Sequence, residues 1–144
     1  MRIALAADHG GFELKNHLLE LVEKAGHDVV DLGTDSGAAV DYTDYAKKAA
    51  HGIVAGEWQR AILVCGTGLG MSMTANRVPG VRAACVSDTF SARLSREHND
   101  ANVLCLGARV VGFGLAGDIV RAWLTGVVST EPRHTARIAN IDTP

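Results

Sequence analysis

Five short apolar runs recur along the chain: Arg2 to Ala7, His27 to Leu32, Arg60 to Cys65, Val81 to Val86 and Asn102 to Leu106. Their apolar residues are continuous rather than alternating, which predicts strands covered on both faces. Between the runs the spacing becomes helical. Leu14, Leu18, Leu21, Val22 and Ala25 stand at i, i+4, i+7, i+8 and i+11, with Glu13, Lys15, Glu20, Glu23 and Lys24 on the other side and Gly26 as the stop. Further helices are predicted over Thr43 to Ala55, Gly70 to Arg77, Asp88 to Glu97 and Gly112 to Thr125. Strand and helix thus alternate from end to end, so the expected architecture is α/β, a five-stranded parallel sheet with right-handed crossovers and helices on both faces. No repeat, low-complexity segment or linker divides the 144 residues, a length suited to a single domain.

Composition narrows the classes of function. The chain is 47% hydrophobic and 21% charged, too apolar for disorder, and its net charge of −2 offers no footprint for nucleic acid. No stretch approaches the roughly 20 apolar residues of a membrane span. The opening run from Met1 to Ala7 stops at Asp8-His9, short of a secretory signal, so a cytoplasmic setting is expected. Cys65, Cys85 and Cys105 form an odd, sparse set without CxxC or zinc-finger spacing, which predicts reduced thiols and no structural metal. Two surpluses need a place: 16 glycines, and ten arginines among the 14 basic residues.

Ligands of open α/β sheets bind beyond the carboxyl ends of the strands. There the sequence places Asp8-His9-Gly10-Gly11 after the first strand, Gly66-Thr67-Gly68-Leu69-Gly70 after the third and Ser87-Asp88 after the fourth. In the glycine loop successive N–H groups can converge on an anion, helped by the helix N-terminus that follows. Three readings compete. A P-loop needs a lysine that Gly70-Met71-Ser72 lacks. A dinucleotide fingerprint needs a glycine where Met71 stands, although Asp88 could imitate its ribose-binding acid. The third is an oxyanion-stabilising loop with Cys65 beside it, at a place where a thiolate is favoured and can act as a base. Cys85 and Cys105, flanked by apolar residues, read as small buried hydrophobes. Thr67 either satisfies a turn or holds a substrate oxygen.

Asp8 and His9 stand where an imidazole could meet an anion, or where Asp8 merely caps the helix. His98-Asn99-Asp100 closes the fourth helix, whose negative end favours an imidazolium able to donate a proton; an exposed helix-end histidine is the plain alternative. His17, His27 and His51 read as solvated surface. In Glu131-Pro132-Arg133-His134-Thr135-Ala136-Arg137 a helix begins, and Arg133 and Arg137 share one face at i, i+4. Two guanidiniums side by side suit a phosphate, or are simply a solvated basic face; Arg109, just past the last strand, is a candidate to join them.

These segments resemble the ribose-5-phosphate isomerase B family, which also includes galactose-6-phosphate isomerase subunits. The resemblance covers nearly the whole chain. It rests on Asp8-His9-Gly10-Gly11, Asp41-Tyr42, Cys65 to Gly70, Ala75-Asn76-Arg77, Ser95 to Asp100, Gly107 to Val111 and Arg133-His134 with Arg137. It implies a Rossmann-like three-layer α/β/α sandwich working as a homodimer or tetramer, with each site between two subunits and a tail, from about residue 127 to 144, that contacts the partner. The implied reaction interconverts an aldose phosphate and a ketose phosphate without metal or organic cofactor. In that reading Cys65 is the base, Gly66, Thr67, Gly68, Leu69 and Gly70 stabilise the enediolate, and His98 with Asp8 nearby opens the ring. His9, Arg109, Arg133 and Arg137 hold the phosphate, and Asn99 and Tyr42 contact the sugar. One branch of the family replaces the cysteine by a glutamate just after the loop; here that place is Met71. Ribose 5-phosphate is the expected substrate. The alternatives are a six-carbon substrate, galactose 6-phosphate or allose 6-phosphate, and a nucleotide-binding module.

Overall fold

Strand β1 (Arg2–Ala7) is buried at every residue after Arg2. Its alternate side chains enter two different cores: Ile3, Leu5 and Ala7 one, Ala4 and Ala6 the other. A strand with no solvated face has no reason to alternate, which accounts for the continuous apolar runs at Arg2–Ala7, Arg60–Cys65 and Val103–Gly107; the two outer strands, Asp28–Asp31 and Ala83–Cys85, are only partly buried, against the expectation for them. The computed structural model describes residues 1–143. It continues with α1 (Phe12–Lys24), β2 (Asp28–Asp31), α2 (Tyr42–Val54), β3 (Arg60–Cys65), α3 (Leu69–Ala75) and β4 (Ala83–Cys85). The remaining elements are α4 (Thr89–Asn99), β5 (Val103–Gly107), α5 (Phe113–Thr125) and α6 (Pro132–Asp142). All five strands are parallel, in the order β2-β1-β3-β5-β4.

Helices α1, α4 and α5 cover one face, with Leu14, Leu18, Val22, Ala92, Ile119 and Trp123 against Ile3, Leu5, Ile62 and Leu104. Helices α2 and α3 cover the other with Ala46, Ala49, Ala50, Met71 and Ala75. The expected three-layer α/β/α sandwich is therefore what forms. Chain leaves β1 toward β2 by α1 on one face, and β3 toward β4 by α3 on the other, so a crevice opens between the carboxyl ends of β1 and β3.

Three local expectations are corrected. The fourth strand is only three residues long, because the N–H groups of Arg82 and Ala83 donate to the side chains of Asn102 and Asn76 instead of to a neighbouring strand. It lies at the sheet edge, so Cys85 is exposed rather than a buried hydrophobe, whereas Cys105 one strand inward is fully buried. Lys15, placed on the solvated side of α1 by the helical spacing, is instead 0% exposed. Its ammonium reaches Asp31 Oδ1 at 2.6 Å and the Thr34 carbonyl at 2.9 Å.

Candidate active site

The carboxyl edge of β3 ends in Cys65, almost completely buried, whose Sγ accepts a hydrogen bond from the Gly68 N–H at 3.1 Å. The loop can fold back this way because Gly68 takes φ +80°, a left-handed conformation that side chains resist. It is pinned to the end of β5 by two backbone bonds, Ala108 N–H to Cys65 O at 2.8 Å and Arg109 N–H to Gly66 O at 3.0 Å. Thr67 Oγ1 accepts from Leu69 N–H at 3.3 Å, the turn-satisfying role. Helix α3 starts at Leu69, so the N–H groups around Cys65 combine a turn with a helix N-terminus. Chemically, the arrangement presents a thiol with hydrogen-bond donors beside it.

Four further candidates surround this loop. Asp8 is buried and its Oδ1 accepts from the Gly11 N–H at 3.1 Å. Gly11 is itself the cap of α1, so Asp8 braces the turn into the helix rather than capping its first amides. His9 is exposed and its Nδ1 accepts from Val40 N–H at 3.3 Å, which leaves Nε2 as the nitrogen free to carry a proton toward a ligand. Tyr42 begins α2, whose cap is Asp41; the Thr43 N–H and hydroxyl donate to the Asp41 carboxylate and hold its pKa below the ordinary value. The Tyr42 ring lies over Gly70, where a Cβ would stand 2.5 Å from Cζ, so only glycine lets the ring close over the loop. Arg109 is exposed, and its Nη1 comes within 3.4 Å of where Gly66 would carry a Cβ, which places a cation over the same loop.

The remaining candidates gather elsewhere. Helix α4, capped by Asp88 on the carboxyl edge, runs back for 11 residues, about 16 Å. Its end meets the amino ends of the strands, where Arg82 Nε donates to Asn99 O and Asp100 O, both at 3.1 Å. His98 and Asn99 therefore sit at the opposite end of the sheet from the Cys65 of their own chain. Helix α6 docks alongside α4. Arg82 donates to both carboxylate oxygens of Asp142 at 2.9 and 2.7 Å, and Ser129 N–H donates to Glu97 O at 2.8 Å. Arg133, ion-paired with Glu131, and Arg137 are exposed on this helix. One chain thus holds two separate clusters of candidates: Asp8, His9, Tyr42, the glycine loop and Arg109 around Cys65, and His98, Asn99, Arg133 and Arg137 on the α4–α6 pair.

One residue of this cluster is not among the sequence candidates. The imidazole of His134 lies tilted against that of His98, with centroids 4.1 Å and planes 32° apart; it is only 5% exposed, and its buried Nδ1 has no hydrogen-bond partner among the described residues. Burial first, then the charges of His98 and Arg133, holds its pKa below the ordinary histidine value. The signal in the sequence is weak: His134 and Ile138 recur at i and i+4 on the partly inward side of the helix that carries the two arginines, whereas Ile141 at i+7 is exposed.

A parallel α/β sandwich with a cysteine-bearing glycine loop in its crevice, N–H groups turned toward the sulfur and cations nearby, belongs to the class of α/β proteins that handle small anionic molecules. Residues 3–141 match the ribose/galactose isomerase family model. The chain is 45% identical over 140 residues to ribose-5-phosphate isomerase B of Escherichia coli, covering 97% of this chain and 93% of that one. It is 45% identical over 125 residues to D-erythrulose-4-phosphate isomerase of Pectobacterium atrosepticum, covering 86% and 82%. Ribose-5-phosphate isomerase B of Clostridium thermocellum superposes with a TM-score of 0.95 at 47% identity, over 99% of this chain and 95% of that one. The chain belongs to the ribose/galactose isomerase family, and its activity is sugar-phosphate isomerisation.

Proposed function

We propose that the protein interconverts ribose 5-phosphate and ribulose 5-phosphate through an enediolate, with Cys65 as the base. The observation that carries this reading is the Gly68 N–H held 3.1 Å from the Cys65 sulfur in a loop that opens a helix, a base and an oxyanion-stabilising element in one turn. His98 donates a proton to the ring oxygen as the furanose opens, and Asp8 takes the proton of the C1 hydroxyl. The Cys65 thiolate then removes the C2 proton of the open aldehyde. Negative charge moves to O1 and is stabilised by the N–H groups of residues 66 to 70. Return of the proton from the thiol to C1, with reprotonation of O1 and loss of the O2 proton, gives the ketose. His9, Arg109, Arg133 and Arg137 hold the phosphate; Tyr42 and Asn99 contact the sugar hydroxyls.

His98 reaches Cys65 only from a second copy of the chain, because α4 separates the two half-sites of one chain by its own length. The working unit is thus a homodimer in which each α4–α6 pair, tail included, completes the partner's cysteine site. Relatedness to ribose-5-phosphate isomerases B supports the five-carbon substrate. An equal identity to an erythrulose-4-phosphate isomerase favours a four-carbon substrate as the second reading. A coupled assay comparing four-, five- and six-carbon sugar phosphates on the purified protein separates them. The highest kcat/KM is expected for ribose 5-phosphate, and a preference for another chain length replaces that assignment.

A further inference from the structure

Lys15 is the one fully buried cation of the α1 core face, and burying an ammonium is costly unless it is paired and hydrogen-bonded. Its partners explain its place. One is Asp31 Oδ1 at 2.6 Å, an oxygen that also accepts from the Gly33 N–H at 2.9 Å; the other is Thr34 O at 2.9 Å. Both belong to the end of β2 and the start of the long connection to α2. That connection reaches the catalytic edge at two points. Gly33 and Thr34 exchange backbone hydrogen bonds with Ala7, the residue before Asp8, at 2.8 Å each. Further on, Val40 N–H donates to the imidazole of His9, and Asp41 caps the helix that aims Tyr42 over Gly70. Residues 35–39 in between are exposed, so the connection is held from its buried start.

We infer that Lys15 is a positioning residue: by fixing Asp31 and Thr34 from inside α1 it presets the 33–41 segment, and through it His9 and Tyr42, for the phosphate and sugar of the substrate. A methionine would fill the same volume and leave the segment untied. The position of the lysine inside a helix, with its ammonium aimed at a loop rather than at solvent, is what distinguishes this from an ordinary surface ion pair.

The inference rests on the isomerase reading for its kinetic arm but not for its structural one. In Lys15→Met and Asp31→Ala, hydrogen exchange followed by mass spectrometry is expected to quicken in residues 33–41 while α3 and α5 keep their protection. KM for ribose 5-phosphate is expected to rise about tenfold with kcat falling less than about threefold, since a contact shared by ground and transition state is being loosened. Should the wild-type protein not turn over ribose 5-phosphate, the functional reading fails by itself. The affinity for inorganic phosphate, measured by titration calorimetry on wild type and variants, then takes the place of KM and is expected to weaken by a similar factor. Asp31 is half-exposed at a sheet edge, so its variant carries the test if Lys15→Met does not fold. Unchanged exchange in 33–41, unchanged KM or phosphate affinity, or a loss confined to kcat each overturns the role.

Discussion

The chemistry proposed for Cys65 rests on what its own loop does with backbone. A strand end, a left-handed glycine and a helix start bring the Gly68 N–H onto the sulfur. Cys65→Ser is expected to keep the fold, with an unchanged circular-dichroism spectrum, and to lose about 10²–10⁴-fold in kcat on ribose 5-phosphate, the usual scale for losing a positioned base. Turnover near the wild-type level would remove Cys65 from the mechanism. Arg137 is exposed on α6, and phosphate is held alike before and during the reaction. Arg137→Ala should therefore raise KM while leaving kcat nearly unchanged; an effect on kcat alone contradicts the phosphate role. Glycine loop and cysteine were both legible in the sequence because they are consecutive residues. The tilted ring contact of His134 with His98 was not, since it joins residues 36 positions apart and needs α6 to dock first.

At the scale of elements, α1 is held by Leu14, Leu18 and Val22 against the β1 and β3 side chains. Leu18→Ala empties fully buried volume there and is expected to cost about 2–5 kcal/mol in denaturant unfolding. The helical periodicity located this stripe correctly but misplaced Lys15, because spacing gives only a direction around the axis. Whether a solvated or a protein-filled space lies there depends on where β2 and its carboxylate end up. The docking of helix α6 is expected to respond to pH. His134 packs against His98 of α4, with Arg133, Arg137 and Glu131 on its own segment, and its folded pKa lies below the ordinary 6.5. The undocked helix therefore binds a proton that the docked one excludes, so docking is complete above the ordinary value and weakens as pH falls beneath it. Thermal unfolding from about pH 8 to pH 5 should show a fall in Tm below about pH 6.5 that is shallower in His134→Phe. Equal slopes for both proteins would discard His134 as its source.

For the whole molecule, the two clusters of candidate residues at opposite ends of one sheet are the feature with the widest consequence. If each site pairs Cys65 of one chain with His98 of another, the variants Cys65→Ser and His98→Ala are both inactive alone. Mixed in equal amounts and allowed to exchange subunits, half of the dimers become hybrids with one intact site of two. The expected recovery is about a quarter of wild-type activity. No recovery, with hybrids demonstrated by native mass spectrometry, would mean that each chain works with its own residues. The same experiment tests the tail, whose arginines travel with His98 on the α4–α6 pair.

The strand runs, the α1 stripe and the glycine loop are local patterns, and the sequence by itself determined them: which runs become strands, where the carboxyl edge of the sheet lies and which thiol stands there. Hydrophobic period and consecutive residues carry that information without reference to the rest of the chain. The tertiary structure alone decided the strand order that puts β4 at the edge and exposes Cys85, the burial of Lys15 against Asp31, and the separation of His98 from Cys65. Each depends on contacts between residues distant in sequence, which form only when helices pack on both faces of a sheet with a fixed crossover hand.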